Sequence, residues 1–307
     1  MTALLYIAVY ASVLCFTAGC LRLARHYASL PVHLRWELYP VPHEPASRAE
    51  HGGSYFEESD WWTKPREFNL AGELRAMSCE ILLLKSVWES NRKLWWKSML
   101  FHSGLYCIVM ATAAQIFLAV TSLLWAASWL TQVTVAAGWL GTIGLGLVML
   151  GTAALLAQRI FDRELSDYTH PADYVHLGVI GGAATLLLVG SLSSGSPSAV
   201  ALFRGALTFN TGVHVPVLIA AGSVLTLALL AYVPFSRMAH FIAKYFAYHA
   251  VRWDDVPNRG TAMEQQILTN LALRPTWSAD HICNRDGRRT WAEIAAENPA
   301  VLHEVHK

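Results

Sequence analysis

Charged residues are scarce in this chain. They make up 15% of its 307 residues, and hydrophobic residues make up 54%, whereas an ordinary soluble domain has about 25% charged residues. Lysine and arginine are missing altogether from several long apolar stretches. A helix needs roughly 20 apolar residues to cross the hydrocarbon core of a bilayer, and the chain offers about five such runs. The sequence therefore predicts an integral membrane protein.

Closely spaced cysteines are also lacking. The five cysteines form no C-x-x-C pair; they are Cys15, Cys20, Cys79, Cys107 and Cys283. Iron–sulfur clusters, structural zinc sites and covalently attached haem depend on such spacings. We therefore expect no cluster of the usual spacing within this chain, and we interpret the cysteines as packing residues.

The first apolar run, residues 3–21, lacks the basic start of a signal peptide. The segment Thr17-Ala18-Gly19-Cys20 faintly resembles a lipoprotein cleavage site. However, Arg22 and Arg25 follow at once, as expected at the cytoplasmic end of a spanning helix. Residues 1–25 are accordingly predicted to be the first transmembrane helix.

Four more apolar runs complete a predicted bundle over residues 98–243. They lie near 99–125, 133–156, 172–192 and from about 212 past Pro234, the last expected to continue as a helix into the cytosol. If the N-terminus faces outside, every Lys and Arg except Arg204 is cytoplasmic, which satisfies the positive-inside rule. The predicted fold class is an all-α integral membrane bundle of five transmembrane helices, with the N-terminus outside and the C-terminus cytoplasmic.

Two polar cytoplasmic segments flank this bundle, residues 26–97 and 244–307. In the first, apolar residues recur at helical spacing between Asn69 and Ser90. This pattern predicts a cytoplasmic amphipathic helix that lies on the membrane surface or against a partner. Both segments are rich in aromatic residues but too short and irregular to be catalytic domains. We interpret them as a docking platform for a partner protein.

Histidines in the apolar runs are the candidate functional residues, because ionisable groups are costly in a membrane. His102, His176 and His240 fall near predicted cytoplasmic helix ends, and His214 falls near the outer end of the fifth helix. His214 and His240 are roughly 39 Å apart along a helix, so they cannot share a metal. His102 and His240 match in depth on different helices, as a bis-histidine haem requires. The alternative is a pair of interfacial histidines that hydrogen-bond to their neighbours.

Two motifs around these histidines resemble a known family. FHSGLY at 101–106 and PFSRMAH at 234–240 are similar to motifs of the membrane cytochrome b family typified by the gamma subunit of respiratory nitrate reductase. Three further motifs resemble its branch in heterodisulfide-reductase-like complexes and in the transmembrane redox complexes of sulfate reducers. They are LRWELYPVPHE (34–44), GGSYFEESDWW (52–62) and KYFAYHAVRWDD (244–255).

The resemblance implies a haem b ligated by His102 and His240 near the cytoplasmic face. It implies a subunit of the prokaryotic cytoplasmic (inner) membrane that relays electrons between a quinone, menaquinone by analogy, and a cytoplasmic iron–sulfur subunit related to heterodisulfide reductase catalytic subunits. Further membrane or periplasmic cytochrome subunits fit the same kind of complex. The chain would serve a quinone-linked oxidoreductase without catalytic residues of its own, and nothing suggests a nucleic-acid partner.

The chain departs from the family at the outer haem. The two positions that carry the outer ligands in the family hold Thr112 and Gly222 here. We therefore expect at least one haem b and leave a second open. His214 is a candidate for a displaced outer site, and His176 for a haem ligand or for a proton or quinone site on the inner side.

Polar and basic residues near the histidines are the remaining candidates for binding the haem propionates or a quinone. Arg237 lies one turn before His240 and is predicted to pair with a haem propionate, which suits the geometry of arginine. Lys244 is the second choice. Polar groups in apolar helices are weaker candidates for hydrogen bonds to a quinone, and each is also interpretable as a helix–helix contact: Gln115, Gln132, His176 and His214.

Two other functions fit parts of the sequence. A haemless membrane anchor that only recruits a soluble complex needs the cytoplasmic segments but no histidine pair. A small transporter would favour polar groups deep in the bundle and often an internal repeat, and we find no repeat. The anchor is therefore the stronger alternative.

Overall fold

A computed structural model of the chain describes residues 1–30, 40–45, 47, 54–65, 67–125, 129–193, 195–254, 258–277 and 287–296. The motif at 34–44 and the end of the predicted docking tail lie largely outside these residues. In the described part the α-helices are α1 (Thr2–Ala28), α2 (Leu70–Leu82), α3 (Lys85–Ser90), α4 (Arg92–Leu124), α5 (Trp129–Phe161), α6 (Arg163–Asp167), α7 (Pro171–Leu192), α8 (Ala199–Leu207), α9 (Val217–Tyr232), α10 (His240–Phe246), α11 (Ala262–Leu271) and α12 (Trp291–Ala295). The turn after α10 is a π-helix, Ala247–Arg252.

Five helices are long and apolar enough to cross a membrane: α1, α4, α5, α7 and α9 with the turn after it. This confirms the prediction of a five-span, all-α, multi-pass membrane protein. The helices α4 and α5 are each 33 residues long, longer than their predicted apolar runs, because polar residues at their ends continue the helix beyond the apolar part. Which side of the membrane each terminus occupies stays a prediction.

The spans pack in the order α4, α5, α7, α9, α1. The largest buried cluster joins the first three of them and consists of Phe101, Val148, Leu155, Leu177 and Ala184. The segment between the fourth and fifth spans contains α8, which packs on α4. The hydroxyl of Tyr10 on α1 donates to the carbonyl oxygen of Ala206 at 2.9 Å, so α8 also ties α1 to the bundle.

Two glycines of α5 let α4 approach closely. A Cβ atom added at Gly151 would lie 2.6 Å from the backbone nitrogen of Phe101, and one added at Gly144 would lie 2.9 Å from the carbonyl oxygen of Gly104. By contrast, Gly138 and Gly146 have nothing within 4 Å of such an atom. Small residues allow helices to pack tightly in membranes, and here only part of the glycine series of α5 serves that purpose.

The fifth span does not continue as one helix, and that expectation was wrong. After α9 ends at Tyr232, a 3-10 turn spans Val233–Phe235 and Ser236 is extended, with φ −127° and ψ 171°. A second 3-10 turn precedes α10, which begins at His240. Pro234 explains the break, because proline has no backbone N–H and clashes with the preceding turn of a helix.

The cytoplasmic segment predicted to form one helix over 69–90 forms two. Leu84 adopts a left-handed conformation with φ 51°, which separates α2 from α3. The helix α2 packs against the segment after α10, where Val41, Tyr248 and Trp253 form a buried cluster with Met77. The two segments predicted to be cytoplasmic are therefore in direct contact with each other.

We expect Gly151→Ala to destabilise the packing of α4 on α5 by about 1–3 kcal/mol, the usual cost of overpacking a tight core. The added methyl group would overlap the backbone of Phe101, next to His102. Gly146→Ala is the matched control on the same helix, because that position faces open space. Thermal unfolding in detergent checks the pair, and equal melting temperatures for the two variants would contradict the close approach.

Candidate functional site

The structure brings His102 on α4 and His240 at the start of α10 together. Their ring centroids are 6.3 Å apart and the ring planes make an angle of 74°. Two imidazoles on opposite sides of one metal atom would have centroids about 6 Å apart, since each metal–nitrogen bond is roughly 2 Å and each nitrogen is about 1 Å from its ring centre. The two rings are therefore spaced as two axial ligands would be.

A hydrogen bond orients the ring of His102. Its Nδ1 lies 2.7 Å from the carbonyl oxygen of Ser98. A carbonyl oxygen only accepts, so Nδ1 carries the proton and Nε2 keeps its lone pair for a ligand. This is the arrangement in which a backbone group fixes the tautomer and direction of a metal-binding histidine. His102 is half-buried, whereas His240 is exposed.

Arg237, the first candidate for a propionate partner, lies on the solvent side. Its side chain is 74% exposed, and its Nη1 is 3.7 Å from Oδ2 of Asp173 in the first turn of α7. An exposed pair at this distance contributes little to stability. The pair leaves Arg237 free to exchange Asp173 for another anion, and its predicted role stays a prediction.

Lys244, the second candidate, is engaged with α2. Its Nζ donates to Oε1 of Glu80 at 2.5 Å, and the Glu80 side chain is 4% exposed. The other carboxylate oxygen accepts from the backbone N–H of Ser86 at 3.0 Å. Burial alone would raise the pKa of Glu80, but the hydrogen bonds from Lys244 and Ser86 outweigh it and hold that pKa below its ordinary value. Lys244 thus already has a buried counter-ion.

His176 and His214 lie apart from the histidine pair. His176 Nε2 is 3.4 Å from the hydroxyl of Tyr232, and both line a groove of about 380 Å³ between α7 and α9 whose other walls are apolar. His214 is exposed at the opposite end of α9. The structure therefore brings together two of the four predicted histidines.

The half of the bundle next to α8 contains a larger cavity. It measures about 520 Å³ and is lined by Thr112 and Gln115 of α4 with residues of α5, α7, α8 and α9. Gln115 Nε2 donates to the carbonyl oxygen of Ala137 at 3.2 Å, whereas Gln132 is exposed. A Cβ atom at Gly222 would lie 2.8 Å from Leu187, so α7 occupies the space that a ligand side chain would need there.

Sequence reasoning missed Arg159, near the C-terminal end of α5. Its Nε and Nη1 are buried, and no described residue offers them a hydrogen bond. The backbone oxygen of Arg159 accepts from the hydroxyl of Tyr174 at 3.0 Å, and Tyr174 adjoins Asp173, the partner of Arg237. Arg159 thus lies at the same end of the bundle as His240. Buried N–H groups of a guanidinium that have no acceptor among the described residues are costly, and an anion would satisfy them.

The sequence did carry a signal for Arg159. It is the one charged residue between Trp129 and Phe161, and a lone ionisable residue in an apolar span is usually functional. The partners of Lys244 and His249 had no such signal. Glu80 and Glu73 lie 164 and 176 residues away in the chain, and only the fold brings them into contact.

Comparison with known proteins gives one family. The family model described as nitrate reductase gamma subunit matches residues 84–256, which is more than half of the chain. The matched region runs from α3 through the turn after α10 and contains His102, Arg159 and His240. A search of curated proteins found no match.

Glu80→Gln should loosen α2 from the segment after α10 by about 1–3 kcal/mol, because it leaves Lys244 without its buried counter-ion. Hydrogen exchange of residues 70–82 would then accelerate roughly 5- to 150-fold at neutral pH. Glu89→Gln is the control, since the Lys85–Glu89 pair is exposed on both sides. Unchanged exchange in Glu80→Gln would show that the pair does not hold α2.

The Lys244–Glu80 pair also makes the hydrogen-exchange protection of α2 depend on pH. The pKa of Glu80 is lower in the folded protein than in the unfolded chain. The stability that the Lys244–Glu80 pair gives to the α2 contact is therefore fully present above the ordinary glutamate pKa of about 4.3, and it is lost as the pH falls through the lowered value. Protection of α2 in the unmodified protein should therefore persist at neutral pH and decline only below about pH 4.

Proposed function

Because the chain belongs to the nitrate reductase gamma subunit family, we propose that it is the membrane cytochrome b subunit of a redox complex, with His102 and His240 as the axial ligands of a haem b. The observation that carries the proposal is the pairing of these two rings, 6.3 Å apart, from different helices. The motifs FHSGLY and PFSRMAH that contain them both lie within the family match.

The residues around the pair fit such a group in three respects. His102 presents Nε2 because Ser98 occupies Nδ1. Phe101 and its buried neighbours give apolar walls on the side of α5 and α7. A haem also brings two propionate carboxylates, and Arg159 has two buried N–H groups that need an acceptor. When bound, the haem supplies a one-electron carrier whose potential depends on its ligands, burial and hydrogen bonds.

The chain's own residues then have distinct tasks. The carbonyl oxygen of Ser98 holds the ring of His102 and increases its basicity as a ligand. The Lys244–Glu80 ion pair anchors α10 to α2 and so holds the helix that begins with His240. Arg159 and Arg237 offer positive charge at the same end of the bundle. The chain binds and orients the carrier, and no residue needs to act as a catalytic acid or base.

For the electron donor and acceptor we propose a quinone, menaquinone by family analogy, and a cytoplasmic iron–sulfur subunit related to heterodisulfide reductase catalytic subunits. The loop motifs support the second assignment, and the lack of C-x-x-C pairs in this chain means that the clusters must belong to the partner. The partner would sit on segments 26–97 and 244–307. Further membrane or periplasmic cytochrome subunits, in a prokaryotic cytoplasmic membrane, fit the same complex.

We propose one haem as the minimum content. The family's outer ligands are replaced by Thr112 and Gly222, and α7 fills the space beside Gly222. His176 and His214 are the ligands to test should a second haem be found. The competing function is a haemless anchor that recruits a soluble redox complex through the cytoplasmic segments.

The first experiment is a reduced-minus-oxidised spectrum of the purified protein with pyridine-haemochrome quantification. We expect about one haem b per chain in the wild-type protein and almost none in His102→Ala or His240→Ala, because each substitution removes one of the two residues that would hold the haem. His214→Ala is the control at the far end of α9 and should keep its haem. A well-folded protein without haem would leave the anchor as the function.

Arg159→Ala should lower the midpoint potential of the haem by up to roughly 60 mV, a tenfold change for a one-electron couple. Removing a nearby positive charge stabilises the oxidised iron relative to the reduced iron, because the oxidised iron carries one more positive charge. Arg159→Lys keeps the charge and should shift the potential less. Arg163→Ala, on the exposed helix α6, is the control, and redox titration of all three with equal haem content gives the result.

Arg237→Ala belongs in the same titration. If the potential moves with Arg237 and not with Arg159, the exposed arginine is the propionate partner and the buried one is not.

A further inference from the structure

Helix α2 turns apolar side chains away from the protein. Leu70, Leu74 and Ile81 share one face of the helix, and Leu82 and Leu83 follow; all five are between 47% and 57% exposed. The acidic residues Glu73 and Glu80 lie on a neighbouring face of the helix and contact other parts of the protein. Glu80 contacts Lys244, and Glu73 Oε1 lies 2.7 Å from Nε2 of His249. A helix on a water-facing surface has the reverse arrangement.

The end of α2 is capped by side chains of a spanning helix. The last carbonyl groups of a helix have no partner within it, and in water they bind water. Here the hydroxyl of Tyr106 donates to the carbonyl oxygen of Ile81 at 2.5 Å, and the indole N–H of Trp95 donates to that of Leu83 at 2.7 Å. Where water is excluded, the last carbonyl groups of a helix need hydrogen-bond donors from the protein itself.

The position of Tyr106 also indicates depth. Lys97 is the last lysine or arginine before the apolar part of α4, and Tyr106 is nine residues further on, roughly 13 Å along the helix. Trp88, Trp95 and Trp96 form an aromatic cluster at the start of α4, with the Arg92 guanidinium 4.6 Å from the Trp88 ring centroid. Tryptophan and basic residues of this kind occupy the headgroup zone.

From these observations we propose that the end of α2 and the turn at Leu82–Leu84 are immersed in the cytoplasmic leaflet of the bilayer, beside the first turns of α4. The occupant of the exposed leucine surface is lipid acyl chain. Glu80 is compatible with this depth because Lys244 and the backbone N–H of Ser86 satisfy both of its carboxylate oxygens. If the leucine surface were covered by a protein partner instead, the carbonyl groups of Ile81 and Leu83 would not need donors from α4, because water could bind them until the partner arrived.

The inference goes beyond the proposed electron-transfer function and does not depend on it. Tyr106 lies one turn from His102 on α4, so the leaflet and the end of α2 would together cover that flank of the histidine pair. The segment 26–97 would then use only its other surfaces for docking.

The test places a nitroxide spin label on full-length protein in nanodiscs of phosphatidylcholine and phosphatidylglycerol. The five cysteines are first replaced by serine, and the label is attached at Leu82→Cys, Leu83→Cys or Leu268→Cys. Leu268 on α11 is the matched control, because it is a leucine of similar exposure, 53%. Power saturation then compares collisions with oxygen and with a water-soluble nickel chelate.

We expect the ratio of oxygen to nickel accessibility at positions 82 and 83 to be about tenfold higher than at 268, because the hydrocarbon excludes the polar chelate. Equal ratios at all three positions would place the turn in water and overturn the proposal. Nickel accessibility that disappears only when a cytoplasmic protein is added would also overturn it, and would identify a docking surface.

A second measurement needs no cysteine replacement. Lipids that carry a photoactivated diazirine in the acyl chain are incorporated with the unmodified protein, and labelled peptides are identified by mass spectrometry. Labelling of residues 81–84 without labelling of 262–271 is the expected result. The opposite pattern would exclude immersion. Haem content has no bearing on either readout, so failure here and failure of the cytochrome assignment are separate results.

Discussion

The break between α9 and α10 is the constraint on which the inner half of this protein depends. Pro234 ends the helix because it lacks an N–H group, and it packs where Gly19 of α1 leaves room; a Cβ atom at Gly19 would lie 2.6 Å from that of Pro234. The chain then turns through extended Ser236 before α10 begins. His240 is the first residue of the new helix, so the break determines where its ring lies relative to α4.

Charge pairing fixes that new helix in place. Lys244–Glu80 and His249–Glu73 join α10 and the turn after it to α2, and Arg237–Asp173 joins the break to α7. Each pair links segments far apart in sequence, and the one at Glu80 is shielded from water. Separating a buried pair would leave an uncompensated charge, which is strongly destabilising. The Lys244–Glu80 pair therefore holds α10 in a fixed position on α2. Arg159 differs from these paired residues, because its buried Nε and Nη1 have no hydrogen-bond acceptor among the described residues.

Sequence alone could provide the spans and the histidine pair, for a physical reason. Crossing a bilayer requires a length of apolar chain that hydropathy shows directly, and matching depths follow from counting residues along helices. The break after α9 was signalled by Pro234 but read as a continuing helix, since proline is often tolerated in spanning helices. Helix α8 is not evident from the sequence, because the glycine and serine residues before it are typical of a loop.

Contacts between distant segments could not be predicted. Nothing in the pattern of α2 shows that Glu80 meets Lys244, or that Tyr106 reaches the carbonyl oxygen of Ile81. The helical spacing at Asn69–Ser90 indicated an apolar face and left open what covers it. Arg159 was different, because its isolation in an apolar run was visible and only its lack of a partner needed the structure.

The two halves of the bundle differ in what they offer a redox carrier. The half of the bundle next to α10 holds the histidine pair, Arg159 and the His176–Tyr232 groove, whereas the cavity near α8 is lined by neutral residues such as Thr112 and Gln115. Thr112 is ten residues beyond His102, roughly 15 Å along α4. Under the proposed function a quinone would exchange protons as well as electrons, and an ionisable side chain would serve the proton step best. The groove between α7 and α9 offers an ionisable imidazole at His176, whereas the polar groups among the lining residues of the larger cavity are hydroxyl and amide groups.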